Sequence, residues 1–162
     1  MSAAFAAAQA TAAVTATTDG FVVKHTRAVQ SSTISAYRAL IDWGSWWSGA
    51  HSWSGSAANI ALDAVADGCL CERWAGGEVA HGHVIAAILG KRRLLDAPLG
   101  PLQAMPVVAR LSFTLEPAAQ GSVVVVEMRV SGAGTSNLAA PIDAVLNEAA
   151  DRLMRRIDAG RP

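Results

Sequence analysis

Along residues 107–115 apolar and polar side chains alternate strictly. Val107, Ala109, Leu111, Phe113 and Leu115 fall on one face, and Arg110, Ser112, Thr114 and the following Glu116 on the other. A period of two belongs to a strand with one buried face. The same signal, with β-branched residues bounded by turn formers, predicts strands at 21–30, 59–63, 69–74, 78–88, 92–97 and 123–130. Ala75-Gly76-Gly77 reads as a three-residue hairpin turn between 69–74 and 78–88. Over residues 31–42 the period changes to that of a helix, with Ile34, Tyr37, Leu40 and Ile41 behind capping serines and Gly44 placed to stop it. The final helix is the cleanest element. Leu138, Ile142, Val145, Leu146, Ala149, Leu153 and Ile157 form one stripe, with Asp143, Asn147, Asp151 and Arg155 opposite. Pro141 suits the first turn, and Glu148–Arg152 and Asp151–Arg155 are spaced as i,i+4 pairs. The order predicts an α+β fold. A curved antiparallel sheet of about six to seven strands wraps around a long C-terminal helix, with two short helices after the first strand.

Residues 1–19, MSAAFAAAQATAAVTATTD, show neither period. They are alanine-rich and contain no Lys or Arg. A complete export signal needs a basic start and a stronger apolar centre, although Ala8-Gln9-Ala10 resembles the small-residue end of one. This segment is expected to be a tail or the remnant of a clipped signal, outside a single domain spanning 20–160. The chain as it stands then reads as cytoplasmic, or as periplasmic or exported if the start is such a remnant.

Composition narrows the function. Thirteen basic residues balance thirteen acidic ones, so there is no electrostatic footprint for nucleic acid. No apolar run reaches the roughly 18–20 residues of a membrane-spanning helix. Yet 52% of residues are apolar and only 16% charged. That excess fits an internal cavity whose wall needs apolar residues beyond those that pack, or an apolar surface facing a partner. The cysteines, Cys69 and Cys71, are two apart, a separation at which neighbours rarely bridge, so no disulfide framework is expected.

Four of the five tryptophans, Trp43, Trp46, Trp47 and Trp53, lie in the segment IDWGSWWSGAHSWSG. Rings set among glycine and serine suggest an aromatic rim, packed on one side and open on the other. Trp43 and Trp46 are expected to pack the scaffold, and Trp47 and Trp53 to meet a ligand. His51 stands among them as a hydrogen-bonding group or general base. HSWSG lacks the leading glycine of a nucleophile elbow, and GAGTSN lacks the lysine and spacing of a phosphate loop.

With a three-residue turn, Trp74 pairs with Glu78, Glu72 with Ala80 and Cys71 with His81. Leu70, Glu72 and Trp74 then share the core face, with space left opposite at Ala80 and Gly82. Glu72 becomes a carboxylate in an apolar pocket, its pKa raised unless paired, for instance with Arg73 or Arg92. Cys69, Cys71, His81 and His83 share the other face. Their chemistry suits zinc, but four ligands on a flat ladder converge poorly on one ion, so no metal and no cofactor are assigned.

This order of elements resembles the START-like or SRPBCC superfamily, the helix-grip fold. More narrowly, it resembles the bacterial homologues of a heat-shock ATPase activator and the proteins labelled polyketide cyclase or dehydrase. The matching text is FVVKHTRAV, YRALIDWGSWW, DGCLCERW, and LSFTLEP followed by Gly121 and VVVVEMRV. Tyr37 stands where tryptophan is usual, and Asp67 where the first glycine is usual. The proline-braced loop DAPLGPLQAMP is outside the general pattern. The resemblance implies a cavity between sheet and long helix for a small hydrophobic molecule, and carries no universal catalytic set. The candidate ligand-binding residues are Trp47, His51, Trp53, Glu72, Trp74, Met105, Met128 and Leu146, with Glu72 and His51 the catalytic candidates. A cyclase or dehydratase acting on a polyketide-like or aromatic substrate, and a chaperone-interacting module, are the competing readings. Oligomeric state has no signal in the sequence.

Overall fold

The computed structural model, which describes residues 10–160, is an eight-stranded antiparallel sheet with one long helix packed on it. The strands are β1 (Thr11–Thr17), β2 (Gly20–Val29), β3 (Ile60–Leu62), β4 (Cys69–Trp74), β5 (Gly77–Ile88), β6 (Arg92–Asp96), β7 (Val108–Pro117) and β8 (Ser122–Ser131). Helix α1 (Thr33–Ile41) follows β2, and α2 (Ala139–Ala159) ends the chain. The sheet order is β1-β2-β8-β7-β6-β5-β4-β3. The chain therefore leaves the β1–β2 hairpin through α1 and the tryptophan segment, crosses to the far edge, and returns strand by strand to β8.

The exclusion of residues 1–19 from the fold is corrected by β1. Thr11–Thr17 pairs along its whole length with β2, with Val14 opposite Val23. All seven of its residues are exposed, so no buried face imprints a hydrophobic period on TAAVTAT. Threonine and valine suit an edge strand without one. The strand count rises from six or seven to eight. Residues 1–9, and with them most of the Ala8-Gln9-Ala10 step, lie outside the described residues.

Helix α1 starts where its cap predicts: Ser32 Oγ accepts from the Ser35 amide at 3.3 Å. It ends at Ile41, ahead of Gly44. Gly44 belongs instead to the turn Trp43–Ser45, where an added Cβ would stand 2.9 Å from the Ile60 carbonyl oxygen. The glycine permits a close approach rather than a helix stop.

Helix α2 lays Ile142, Leu146, Ala149, Leu153 and Ile157 into the core against Val23 and Phe21 of β2 and the inward residues of β7 and β8. Each such large side chain contributes about 1.5–3 kcal/mol by leaving water. The polar side of α2 engages β2. Arg27 donates through Nε to Asp151 Oδ1 at 3.0 Å and through its terminal amine to Asn147 Oδ1 at 2.7 Å. Buried His25 brings Nε2 to 2.9 Å from Asp143 Oδ1. Residues of the expected i,i+4 pairs also reach long-range partners. Arg152 donates to the carbonyls of Trp46 and Trp47 at 2.7 and 3.1 Å, and Glu148 meets His51. Among the described residues, no helix is long and apolar enough to cross a membrane.

Candidate functional site: a cavity under the tryptophan segment

The tryptophan segment is a scaffold before it is a rim. Trp43, Trp46 and Trp47 are buried. The Trp43 ring lies 4.5 Å from Trp46, 5.4 Å from Trp47 and 5.7 Å from Phe113, centroid to centroid, within the range of favourable aromatic pairs. The indole N–H groups of Trp46 and Trp47 are both satisfied: Trp46 Nε1 donates to the Leu40 carbonyl at 3.1 Å and Trp47 Nε1 to the His51 carbonyl at 3.0 Å. Trp53 differs, with 62% of its surface exposed.

The β4–β5 hairpin corrects the predicted register. The turn holds two residues, Ala75 and Gly76, so Trp74 pairs with Gly77, Glu72 with Val79 and Cys71 with Ala80. Beyond a bulge the ladder resumes with Leu70 opposite Gly82 and Cys69 opposite His83. His81 is the extra residue. A bulge reverses which side chains face the core, so His81 joins the face of Glu72, and both are buried. The four-residue Cys/His face is thereby dismantled. Cys69 and Cys71 remain on one side of β4, their Cα atoms 5.4 Å apart at the irregular step, and are joined in a disulfide. The expectation that they would not bridge is corrected: ladder distortion brings alternate residues within bridging range.

Glu72 is paired, so the condition for a raised pKa is not met, although its partners are not the arginines expected. Its Oε2 accepts from the Trp53 amide at 3.0 Å and lies 2.8 Å from His81 Nε2, while Oε1 accepts from the Ser54 amide at 2.6 Å. Burial opposes ionisation, but the Ser54 hydroxyl and amide, the Trp53 amide and His81 outweigh it and lower the pKa to about 2. The carboxylate ties the Trp53–Ser54 loop to the sheet. The expected arginine partners are engaged elsewhere or distant: Arg73 reaches Glu78, and Arg92 lies on β6.

Under this loop is a cavity of about 400 Å3, within the size range of small-molecule sites. Its aromatic side is Trp47 and Trp53, its floor Met128, and its helical wall Ile142, Val145 and Leu146. Leu99, Gly100 and Pro101 close it from the proline-braced loop, and Ala50, His51, Ser52 and His81 complete the lining. Of the eight candidate ligand-binding residues, Trp47, His51, Trp53, Met128 and Leu146 line it. Glu72 stands one hydrogen bond behind, through His81. Trp74 and Met105 are outside the lining. The shorter turn sets Trp74 against Gly76 and Gly77, and Met105 packs on the core from the end of its loop. The space expected opposite the core face is also absent: Ala80 is exposed beside Cys71, and Gly82 is tightly covered. A Cβ on Gly82 would meet Asp96 O at 2.5 Å and Ala97 Cβ at 2.8 Å.

Two imidazoles line the cavity, each with a carboxylate behind it. His51 Nε2 is 3.1 Å from Glu148 Oε2, as His81 Nε2 is 2.8 Å from Glu72. Hydrogen bonds from Ser48 hold the Glu148 carboxyl below its usual range; slight burial opposes them, and His51 and Arg152 add to the lowering. An ionised carboxylate only accepts, so His81 donates to Glu72 through Nε2. Sequence reasoning put His81 on the wrong face and passed over Leu99, Ile142 and Val145. The helical period already marked the last two as inward-facing, but only the tertiary fold separates cavity wall from packed core. Among the described residues there is no cluster of three or more metal-ligating side chains.

No protein-family model and no curated protein matches the chain. Solved structures match its fold over most of its length. CalU16 from Micromonospora echinospora aligns with a TM-score of 0.63 at 12% identity, covering 92% of this chain and 86% of that one. The Aha1 dimer from Colwellia psychrerythraea aligns at 0.63 and 17% identity, covering 87% and 98%. Protein MLL2253 from Mesorhizobium loti aligns at 0.62 and 15% identity, covering 87% and 99%. At such identities the likeness is one of fold: a curved eight-stranded antiparallel sheet with a C-terminal helix, of the type these proteins share.

Proposed function

We propose that this chain is a helix-grip protein of the SRPBCC kind that binds a small hydrophobic molecule between its sheet and α2. The observation that carries the reading is the cavity of about 400 Å3. Its wall is predominantly apolar and aromatic, with polar groups confined to His51, Ser52 and His81. Such sites take a mostly apolar ligand and orient it with a few fixed polar contacts. The shared fold with CalU16 and the Aha1 dimer supports the fold-level part of the proposal.

Titration with N-phenyl-1-naphthylamine tests it, because energy transfer from Trp47 and Trp53 reports a probe seated beside them. Saturable transfer, weakened by Leu146→Arg, is expected. A linear, non-saturating response, together with no apolar compound in a solvent extract of the purified protein, would count against it.

A further inference from the structure

We propose a second functional site on the face of the sheet away from the cavity. The Cys69–Cys71 bridge is a redox-active disulfide that exchanges with dithiols, and His83 assists the departing Cys69 thiolate.

Position carries the argument. Leu70 and Glu72 are buried on the inner face, so Cys69 and Cys71 point the other way, and both are only half-buried. The bridge closes a loop of so few residues that it adds little to the stability of the fold. Accessible bridges of that kind are the ones that exchange. The bulge makes the two sulfurs unequal. It turns His81 inward and sets Cys71 opposite Ala80, while Cys69 keeps His83 opposite it. Cys71 therefore stands between Ala61 of β3 and Ala80 of β5, both small and exposed. Its sulfur is the more open to attack. Cys69 begins a row across four strands: His83 is opposite it, Asp96 opposite His83 and Arg110 opposite Asp96. His83 and Asp96 are exposed while Gly82, Val84 and Leu95 are buried, so the row lies on the outer face. Ladder partners hold their Cβ atoms about 4.5–5.5 Å apart, which brings an imidazole within reach of the neighbouring sulfur. The nearby cations are engaged: Arg73 lies 3.3 Å from Glu78, and Arg110 lies 2.6 Å from Asp96. His83 is the group placed to serve Cys69.

The substrate supplies the electrons. One thiolate of a dithiol attacks Cys71 Sγ, the sulfur–sulfur bond breaks, and its electron pair leaves on Cys69 Sγ. Cys69 takes a proton from His83, which recovers one from the substrate's second thiol. A leaving thiolate stabilised in this way departs faster. The second substrate thiolate then attacks its own sulfur in the mixed disulfide and expels Cys71, which takes up the remaining proton. The dithiol has become a disulfide and the bridge two thiols, with two electrons and two protons transferred. A disulfide acceptor runs the same steps backward and restores the bridge.

The test uses the full-length oxidised protein. Reaction with glutathione at pH 7 is quenched by alkylation and read by intact mass and peptide mapping. The expected rate constant exceeds that of glutathione with hydroxyethyl disulfide by about ten-fold or more. The adduct should sit on Cys71, with Cys69 alkylated and circular dichroism unchanged. His83→Gln should slow the reaction by about five- to ten-fold with the same circular dichroism and melting temperature. At catalytic concentration the natural protein should also speed electron transfer from dithiothreitol to insulin disulfides, read as turbidity, and Cys69→Ser/Cys71→Ser should not. A bridge that resists glutathione until urea unfolds the chain overturns the proposal. So does an adduct mainly on Cys69, an unchanged rate in His83→Gln, or turbidity no faster than with the double variant.

Discussion

His81 Nε2 lies 2.8 Å from Glu72 Oε2 across the β4–β5 hairpin, although the two residues are not paired in the ladder. Glu72 pairs with Val79, and the bulge that follows turns His81 inward beside it. Sheet irregularity, loop anchoring and the cavity wall meet at this contact.

Glu72 makes stability depend on acid. Its folded pKa, about 2, lies below the ordinary 4.5. The contribution is therefore full above pH 4.5 and is lost as the pH falls toward 2. The shift corresponds to about 3 kcal/mol. Urea unfolding of the natural protein and Glu72→Gln should differ by about that much at pH 6, and the gap should shrink to about 1 kcal/mol by pH 2.5 and close only below pH 2. A gap independent of pH would show that the ionised form is not what the site stabilises.

The tryptophans should divide by burial. Trp46, 2% exposed and tilted against Trp43, is predicted to cost about 3–5 kcal/mol on change to alanine. Trp53→Ala should alter stability within about 0.5 kcal/mol while weakening binding of the fluorescent probe. Chemical denaturation and the probe titration read the two effects separately.

Tyr37 shields a buried cation. Arg93 is 1% exposed, donates to the Tyr37 hydroxyl and to the Ala64 carbonyl, and sits 5.1 Å from the Tyr37 ring centre. Burial lowers the Arg93 pKa, while Tyr37 works in the other direction. Tyr37→Phe removes an acceptor from a desolvated guanidinium and is expected to cost about 1–3 kcal/mol in thermal or urea unfolding. A neutral result would mean that the ring, not the hydroxyl, supports Arg93.

The Cys69–Cys71 bridge closes a very short loop. Loop-closure entropy for so few residues is worth only about 1–2 kcal/mol. The double variant Cys69→Ser/Cys71→Ser should fold, lose no more than that in urea, and leave no disulfide by mass after alkylation. Failure to fold would assign the bridge a larger role in holding the bulge.

Much of the frame is legible in the alternation of apolar residues. β4 matches its predicted limits, and β7 and α2 bury the predicted faces, because each has one buried side that fixes its period. β1 is hidden because no residue in it is buried. The site is legible in its types and not in its register. Glu72, His51, Trp47 and Trp53 are found in the right region, yet one residue fewer in the turn and one more at the bulge exchange the faces of His81 and Ala80. A period-two pattern cannot reveal such a compensated slip, since the strand enters and leaves it in phase. Tyr37, a departure from the resemblance, is explained by its bond to Arg93, a partner 56 positions away.

The central claim is that a small apolar molecule sits between the sheet and α2. The most direct measurement is a methyl and indole NMR titration with N-phenyl-1-naphthylamine. Saturable shifts confined to the Met128 and Leu146 methyl groups and to the Trp47 and Trp53 indoles are predicted. Shifts at the exposed Ile85, Ile88 and Leu89 instead, with the cavity resonances unmoved, would contradict it.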